Sequence, residues 1–123
     1  MSKTSQIRWL SKPELHDYTA AASYLNLLFA PSTATNYVAR LRAARMTEFK
    51  AKDIFRASGL PLLGSTNSHV GKDLQKIRAG QKLSPLLLVR APDHGRVIIA
   101  DGYHRLCAVY SCDEDALIPC CLA

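Results

Sequence analysis

The chain has 123 residues, 48% of them hydrophobic and 21% charged, which fits one globular domain that builds a core without a metal or disulfide. No run approaches the roughly 18 consecutive apolar residues of a membrane span, and the start, MSKTSQIRWLSKPELHDY, lacks the apolar stretch of a secretory signal, so we expect a cytoplasmic protein with no membrane partner. The formal net charge of +6 favours an anionic partner, whether a nucleotide, a nucleic acid or an acidic protein.

The first 45 residues predict a helical hairpin. Between residues 12 and 29, apolar and small residues recur at steps of three and four, namely Leu15, Tyr18, Ala22, Leu25, Leu28 and Phe29. After the break at APST, residues 33 to 44 repeat this period with Tyr37, Val38, Leu41 and Ala44. The hairpin covers a sheet, forms a partner surface, or reaches a ligand through Arg40, Arg42 or Arg45, and the sequence leaves these roles open.

Residues 46 to 80 predict a short strand and a basic helix. MTEFKAKDIF favours a strand that runs into a loop. Residues 68 to 79 predict a helix with Val70, Leu74 and Ile77 on one face, ended by Gly80. The opposite face carries His69, Lys72 and Lys76, which form either a ligand-binding stripe or an ordinary solvent face.

The last part of the chain predicts a β-hairpin, a helix and a closing strand. Two apolar runs, 86–90 and 96–100, flank the turn signal RAPDHGR and are rich enough in Leu, Val and Ile to be inner strands. A helix follows from about residue 103 to 111, and LIPCCL is the final strand, whose Pro119 favours an edge or a bulge.

All four cysteines lie in the last 17 residues, and their spacing does not match a paired zinc motif. We expect reduced thiols, of which Cys107 on a helix and either Cys120 or Cys121 on a strand act as small buried hydrophobic side chains, and no zinc.

The junction within IIADGYHRLCAVY, residues 98 to 110, is the strongest functional signal. Unpaired N–H groups and the dipole at the start of a helix attract anions. Gly102 allows close approach of the backbone, and His104 and Arg105 add donors for phosphate oxygens. The alternative is a helix capped by Asp101, with Arg105 paired to a nearby acid.

Five segments, in the order strand, basic helix, strand pair, helix and strand, extend this pattern: MTEFKAKDIFRASG, HVGKDLQKIR, LSPLLLVR, VIIADGYHRLCAVY and IPCCL. Together they resemble the ParB/sulfiredoxin superfamily, which repeatedly shows Gly-x-[His/Arg]-Arg-x-x-Ala where this chain has ADGYHRLCA. The resemblance implies an α+β fold, with a small mixed sheet and packed helices in residues 46–123 and the helical extension 1–45 packed on this core.

The resemblance also implies site residues. Gly102, His104 and Arg105 match the phosphate-contacting motif, and the other nucleotide-contacting positions of the family fall on Arg56, His69, Lys72 and Lys76. Tyr103 stands where sulfiredoxins have their nucleophilic cysteine and where nucleotide-hydrolysing ParB proteins have a glutamate. Sulfiredoxin activity is therefore disfavoured, and triphosphate hydrolysis is not implied.

The expected function is binding of a nucleotide, such as ATP with Mg²⁺, or of another phosphorylated ligand. Whether the protein is an enzyme stays open; phosphoryl transfer or hydrolysis would need a carboxylate, and Asp101 is the nearest candidate, with Asp53 and Asp73 as further ones. Two alternatives remain: a DNA-associated module or nuclease, suggested by the net charge, and a non-catalytic protein-interaction module.

Overall fold

A computed structural model describes residues 7–123 and shows a mixed α+β fold. Its five α-helices are α1 (Leu15–Leu28), α2 (Pro31–Ala43), α3 (Ala51–Ser58), α4 (Ser68–Arg78) and α5 (Tyr103–Cys112). Its strands are β1 (Arg8–Trp9), β2 (Thr47–Lys50), β3 (Lys82–Leu83), β4 (Leu86–Ala91), β5 (Arg96–Asp101) and β6 (Leu117–Leu122), with a 3₁₀ turn at Pro92–His94.

The main sheet has four strands in the order β2-β6-β4-β5. Strands β4 and β6 are parallel, with Leu86 opposite Cys120, and the other two pairs are antiparallel. The short strands β1 and β3 form a separate parallel pair. In the β4–β5 hairpin, Ala91 pairs with Arg96 beside the turn, and Leu87 pairs with Asp101 at the open end.

The helices α1 and α2 cover one face of this sheet. Successive side chains of a strand alternate between faces, and Leu87 and Val89 of β4 point toward this hairpin. They pack with Ile98 and Ala100 of β5 and with buried residues of both helices, which include Tyr18, Ala21, Leu25, Ala34, Val38 and Leu41. Of the roles that the sequence leaves open for the hairpin, the structure therefore supports coverage of the sheet.

The other face of the sheet packs against α3 and α5, and α4 packs on α5. Leu86 and Leu88 point to this side, where Leu106 and Val109 of α5 are fully buried. Helix α4 contributes the buried residues Val70, Leu74 and Ile77. Polar residues of α4 beside this apolar stripe line a pocket together with the first turn of α5.

Most of the predicted elements are confirmed: the helical hairpin, α4, the β4–β5 hairpin, α5 and the closing strand. Gly80 ends α4 with a φ of 72°, and the N–H groups of Gly80 and Gln81 donate to Ile77 and Lys76 in a Schellman arrangement. Helix α1 starts later than expected, at Leu15, because Glu14 and Asp17 form a capping box there.

The loop predicted after the first strand is wrong. Residues Ala51–Ser58 form α3, which buries Ala51, Ile54 and Ser58 at helical spacing and ends at Gly59 with a φ of 68°. Asp53 and Arg56 are exposed, and Ile54 and Phe55 are the only large apolar side chains of α3, so the helical period was weak in the sequence.

Strand positions and two helix faces also differ from expectation. Strand β5 lies at one edge of the sheet, whereas β6 with Pro119 is an inner strand. Pairing of β6 with β4 starts at Cys120, one residue after Pro119, so the proline lies where β6 is paired with β2 alone. In α1, Leu15 is 78% exposed and Leu28 is 38% exposed, while Ala21 and Asp17 are buried instead.

The predicted burial of Cys107 and of a cysteine in the last strand is confirmed, since Cys107, Cys120 and Cys121 are buried; all four cysteines are unpaired. Among the described helices, none has the length and apolarity needed to cross a membrane.

Candidate functional site

A polar pocket of about 280 Å³ lies where α5 begins beside α4. Four of its lining residues come from α4 and the rest from the end of β5 and the first turn of α5: His69, Lys72, Asp73, Lys76, Asp101, Gly102, Tyr103, His104 and Arg105. Six of the seven ligand-contacting residues predicted from the sequence are thus brought together.

Gly102 makes the sharp turn from β5 into α5. Its φ is 109°, a conformation that favours glycine. A Cβ here would lie 2.7 Å from Cγ of Leu86 and 3.0 Å from a guanidinium nitrogen of Arg105. The turn therefore requires glycine for its conformation and for the space that Leu86 and Arg105 occupy.

The first turn of α5 has no side-chain cap, whereas Asn67 caps α4 by accepting the N–H groups of His69 and Val70. The prediction that Asp101 caps α5 is wrong, because Gly102 occupies the N-cap position. The N–H groups at the start of a helix have no carbonyl partner within it, so those at the start of α5 are available where the pocket begins.

Arg105 pairs with Asp101, as the alternative interpretation of this junction expected. A guanidinium nitrogen lies 2.9 Å from the Asp101 carboxylate, and each side chain is 17% exposed. The same nitrogen is 3.4 Å from the carbonyl of Pro85, while Nε of Arg105 is buried without a partner among residues 7–123. Arg105 is thus held at the base of the pocket by an acid from the end of β5.

The polar face of α4 forms the opposite wall. The His69 and His104 rings lie 4.8 Å apart between centroids. Lys72 and Lys76 are exposed, and neither makes an ion pair within the described part of the chain. The two ammonium groups and His69 therefore face the start of α5, where His104 lies.

Tyr103 forms part of the pocket wall, and its hydroxyl is engaged in a hydrogen bond within the protein. Its hydroxyl donates to the carbonyl of Pro61, and its ring lies 5.5 Å from that of His104. Burial raises the pKa of this phenol, which keeps it protonated and able to donate.

Burial and neighbouring charges shift the pKa values of three pocket groups. Burial and the adjacent His69 lower the pKa of His104, with Asp73 opposing the shift. Burial raises the pKa of Asp73 and of Asp101, and Arg105 opposes both shifts. The pocket thus disfavours a charged imidazole and charged carboxylates as long as no further ion is bound.

Arg56 and Asp53, two further residues proposed from the sequence, do not line this pocket. Both lie on α3, where the Arg56 side chain is 84% exposed and is 3.9 Å from Asp53. The basic residues of α2 are also elsewhere: the guanidinium groups of Arg40 and Arg42 lie over the rings of Tyr37 and Tyr18.

A second cleft, of about 350 Å³, lies at the other end of the β4–β5 hairpin. It is mostly apolar, and its charged residues are Asp53 and Arg90. It lacks the cationic cluster that an anionic ligand needs, so the polar pocket is the better candidate for a charged ligand.

Two acidic residues of this region were not identified as such from the sequence: Asp17 was not a candidate, and Asp73 was only a minor one. Asp73 lines the pocket, although its position on α4 made it only one of several candidate carboxylates. The charge of Asp17, on α1, is one of the smaller causes that raise the pKa of Asp101, although the two residues are distant in sequence. In the sequence, the position of Asp17 three residues after Glu14 indicates the start of a helix, but it gives no information about Asp101.

A separate cluster of possible metal ligands, Glu14, His16 and Asp17, has donor atoms within 4.8 Å of one another. The carboxylates of this cluster have hydrogen-bond partners within the protein. Asp17 and Glu14 form the capping box of α1, and Glu14 also accepts a hydrogen bond from the Ser84 hydroxyl at 2.8 Å.

In comparisons with protein-family models, curated proteins and solved structures, nothing matches this chain. The ParB/sulfiredoxin resemblance therefore remains a prediction from the sequence.

Proposed function

We propose that this protein is a ParB/sulfiredoxin-like domain that binds a nucleotide or another phosphorylated ligand through the pocket at Gly102–Arg105. The observation that carries the proposal is the shared pocket of two distant segments, the basic face of α4 and the start of α5. Each segment alone has an ordinary structural explanation, but their convergence concentrates cationic side chains around uncapped N–H groups.

Charge in the pocket supports an anionic ligand. Lys72, Lys76 and Arg105 are basic side chains, and Asp73 and Asp101 are acids whose pKa values are raised by burial. Phosphate is held well by such a set, because charge-assisted hydrogen bonds from ammonium, guanidinium and backbone N–H groups are the strongest of their kind.

The size of the pocket supports binding of the phosphate end of a ligand. Its volume of about 280 Å³ is slightly below the range of about 300–1,000 Å³ that is usual for small-molecule sites. A phosphate or diphosphate group would lie inside it, and the rest of a nucleotide would extend past the exposed Lys72 and Lys76.

Thiol chemistry is not supported. Cys107, one helical turn after Tyr103, is fully buried, and burial raises the pKa of its thiol. A reactive cysteine needs an exposed, electropositive setting that stabilises the thiolate.

The pocket contains a histidine and two carboxylates that could serve in phosphoryl transfer or hydrolysis. The binding proposal does not depend on such catalysis. His104, whose pKa is lowered, stays neutral more readily and can accept a proton from a hydroxyl nucleophile. Of the two carboxylates, Asp101 is engaged by Arg105, so Asp73 is the better oxygen ligand for a Mg²⁺ ion that arrives with a nucleotide.

Isothermal titration calorimetry with ATP, ADP, CTP, GTP and pyrophosphate, each with and without Mg²⁺, tests the proposal. We expect His104→Ala and Lys72→Ala to weaken binding about tenfold or more, the loss of one charge-assisted hydrogen bond. Arg56→Ala is the matched control, since it removes a cation that lies outside the pocket. The proposal is wrong if the parent binds none of these ligands, or if His104→Ala binds as the parent does.

The net charge of +6 also supports a second candidate, a nucleic-acid-associated module. This function predicts DNA binding whose affinity falls steeply with salt, in proportion to the phosphates contacted. Absence of binding even at low salt would remove it, and competition between DNA and pyrophosphate would show that both use the pocket.

A further inference from the structure

The apolar cleft at the turn end of the β4–β5 hairpin is separate from the polar pocket, since no residue lines both. Each strand of the main sheet contributes an apolar side chain to it: Leu88 of β4, Val97 of β5, Leu122 of β6 and Phe49 of β2. Helix α3 has only eight residues and leaves three of these side chains partly uncovered, since Phe49 is 38% exposed and Val97 and Leu122 are half-buried. The cleft therefore offers apolar surface to a ligand.

Arg90 brings a positive charge to this apolar surface. It is the one exposed residue of β4, since the other five residues of the strand are buried. Because successive side chains of a strand alternate between faces, Arg90 lies on the same face as Leu88, which packs in the cluster that contains α3. No acid of residues 7–123 forms an ion pair with Arg90. Its guanidinium group is therefore available to bind a carboxylate through two parallel N–H groups.

Asp53 brings the opposite charge from the first turn of α3. Its side chain is 53% exposed, and Arg56 lies 3.9 Å from its carboxylate. A contact of this length between exposed groups is weak, so the Asp53 carboxylate can take a closer partner. Asp53 and Arg90 line the same cleft but form no ion pair with each other. The cleft thus presents two separated charges of opposite sign beside an apolar surface.

We propose that the apolar cleft binds a free α-amino acid with a hydrophobic side chain, such as phenylalanine or leucine. Arg90 binds the carboxylate of this ligand, and Asp53 binds its ammonium group. The apolar side chain of the ligand packs on Phe49, Val97 and Leu122. This binding is independent of the proposed phosphate binding, because the two sites share no residue.

The two charges of the cleft select a zwitterion. A carboxylic acid with an apolar tail can pair with Arg90, but it brings its negative charge near that of Asp53. An amine with an apolar tail has the opposite conflict with Arg90. A free amino acid carries both charges on one carbon atom, so it pairs with both residues and adds no net charge to the cleft. The same contacts that favour the amino acid therefore disfavour ligands with a single charge.

The size and lining of the cleft suit such a ligand. Its volume of about 350 Å³ lies near the lower end of the range of about 300–1,000 Å³ that is usual for small-molecule sites. Sites of this kind are mostly apolar, with a few polar groups that fix the orientation of the ligand. Burial of the apolar side chain drives binding, so the affinity should increase from alanine to leucine and phenylalanine.

A ¹H–¹⁵N NMR titration with L-phenylalanine and L-leucine tests the proposal against analogues that each lack one feature. The analogue 3-phenylpropionate lacks the ammonium group, phenethylamine lacks the carboxylate, and glycine lacks the side chain. With the two amino acids we expect saturable shifts of the amides of Asp53, Arg90 and Val97. For each analogue we expect a dissociation constant higher by about tenfold or more. Absence of saturable shifts with both amino acids, or an analogue that binds as tightly as L-phenylalanine, would overturn the proposal.

Two variants test the charged residues, and both change an exposed side chain, so both should fold. Arg90→Gln and Asp53→Asn should each weaken binding of L-phenylalanine by about tenfold. Asp53→Asn should also abolish the preference for L-phenylalanine over 3-phenylpropionate. Arg96→Gln is the matched control, because Arg96 is an exposed cation beside Val97 on β5 that does not line the cleft. If Arg90→Gln or Asp53→Asn binds L-phenylalanine as the parent does, the cleft is not the amino-acid site.

Discussion

Gly102 is the residue on which the geometry of the pocket depends most. It reverses the chain between β5 and α5 with a φ of 109°, and it lies against Leu86 in the core and Arg105 in the pocket. A side chain here would disturb the hydrophobic core and the ion pair with Asp101 together.

Gly102→Ala is expected to lower the free energy of unfolding by about 2–5 kcal/mol, because backbone strain adds to overlap with Leu86. Urea denaturation measures this loss. Gly95→Ala is the control, since Gly95 also has a positive φ, 67°, but no atom lies within 4 Å of its added Cβ. Equal losses in the two variants would show that contact with Leu86 is not important.

His104 offers a direct test of the electrostatics. Burial, followed by the charge of His69, lowers the pKa of His104, so His69→Gln should raise it part of the way to its usual value. NMR titration of the imidazole signals measures the change. His94→Gln, at the exposed turn beside Phe29, should leave the pKa of His104 unchanged, and a pKa of His104 that does not respond to His69→Gln would contradict the described pocket.

At the scale of elements, the quality of the sequence signal explains what could be predicted. Helix α4 was predictable because Val70, Leu74 and Ile77 form a regular stripe and Gly80 ends it. Helix α3 is short and buries small or polar residues such as Ala51 and Ser58, which carry little hydrophobic signal. Strand order was not predictable, since it depends on pairing between distant segments.

The face of α1 shows the same limit. Of its four Leu residues only Leu25 is buried, so the hydrophobic pattern placed Leu15 and Leu28 in a core where the structure buries Ala21 and Asp17. The choice follows from close packing of α1 on β5 and α2, where a small residue allows the elements to approach.

Packing of the hairpin on the sheet gives a prediction for α1. Leu25 is fully buried between α2 and the sheet, whereas Leu27 is 83% exposed. Leu25→Ala should destabilise the protein by about 2–5 kcal/mol, and Leu27→Ala by less than about 0.5 kcal/mol. Thermal or urea unfolding followed by circular dichroism measures both, and similar losses would show that α1 does not pack as described.

At the scale of the whole molecule, the two hydrophobic clusters lie on opposite faces of one sheet. Trp9 packs against the cluster that contains α3, α4 and α5, whereas Leu25 belongs to the cluster under the hairpin. Because β4 contributes buried residues to both clusters, we expect the two clusters to unfold together. Leu25→Ala should therefore shift the unfolding transition measured by Trp9 fluorescence and the transition measured by circular dichroism by the same amount. Separate transitions would mean that residues 1–45 and 46–123 unfold independently.

The cations of the candidate site could be predicted from the sequence, and its acids, Asp73 and Asp101, were among the candidates without an indication of which one pairs with Arg105. The motif DGYHR and the spacing of His69, Lys72 and Lys76 indicated positive groups on two segments. Arg56, by contrast, lies on the outer side of a helix that was predicted as a loop.

The measurement that tests the central claim most directly is a ¹H–¹⁵N NMR titration of the protein with pyrophosphate. We predict saturable shifts of the backbone amides of Tyr103, His104 and Arg105, together with signals from α4 at His69 and Lys72, and loss of these shifts in His104→Ala. Absence of saturable shifts, or shifts centred on the apolar cleft at Arg90 and Leu122, would contradict the assignment of this pocket as the anion site.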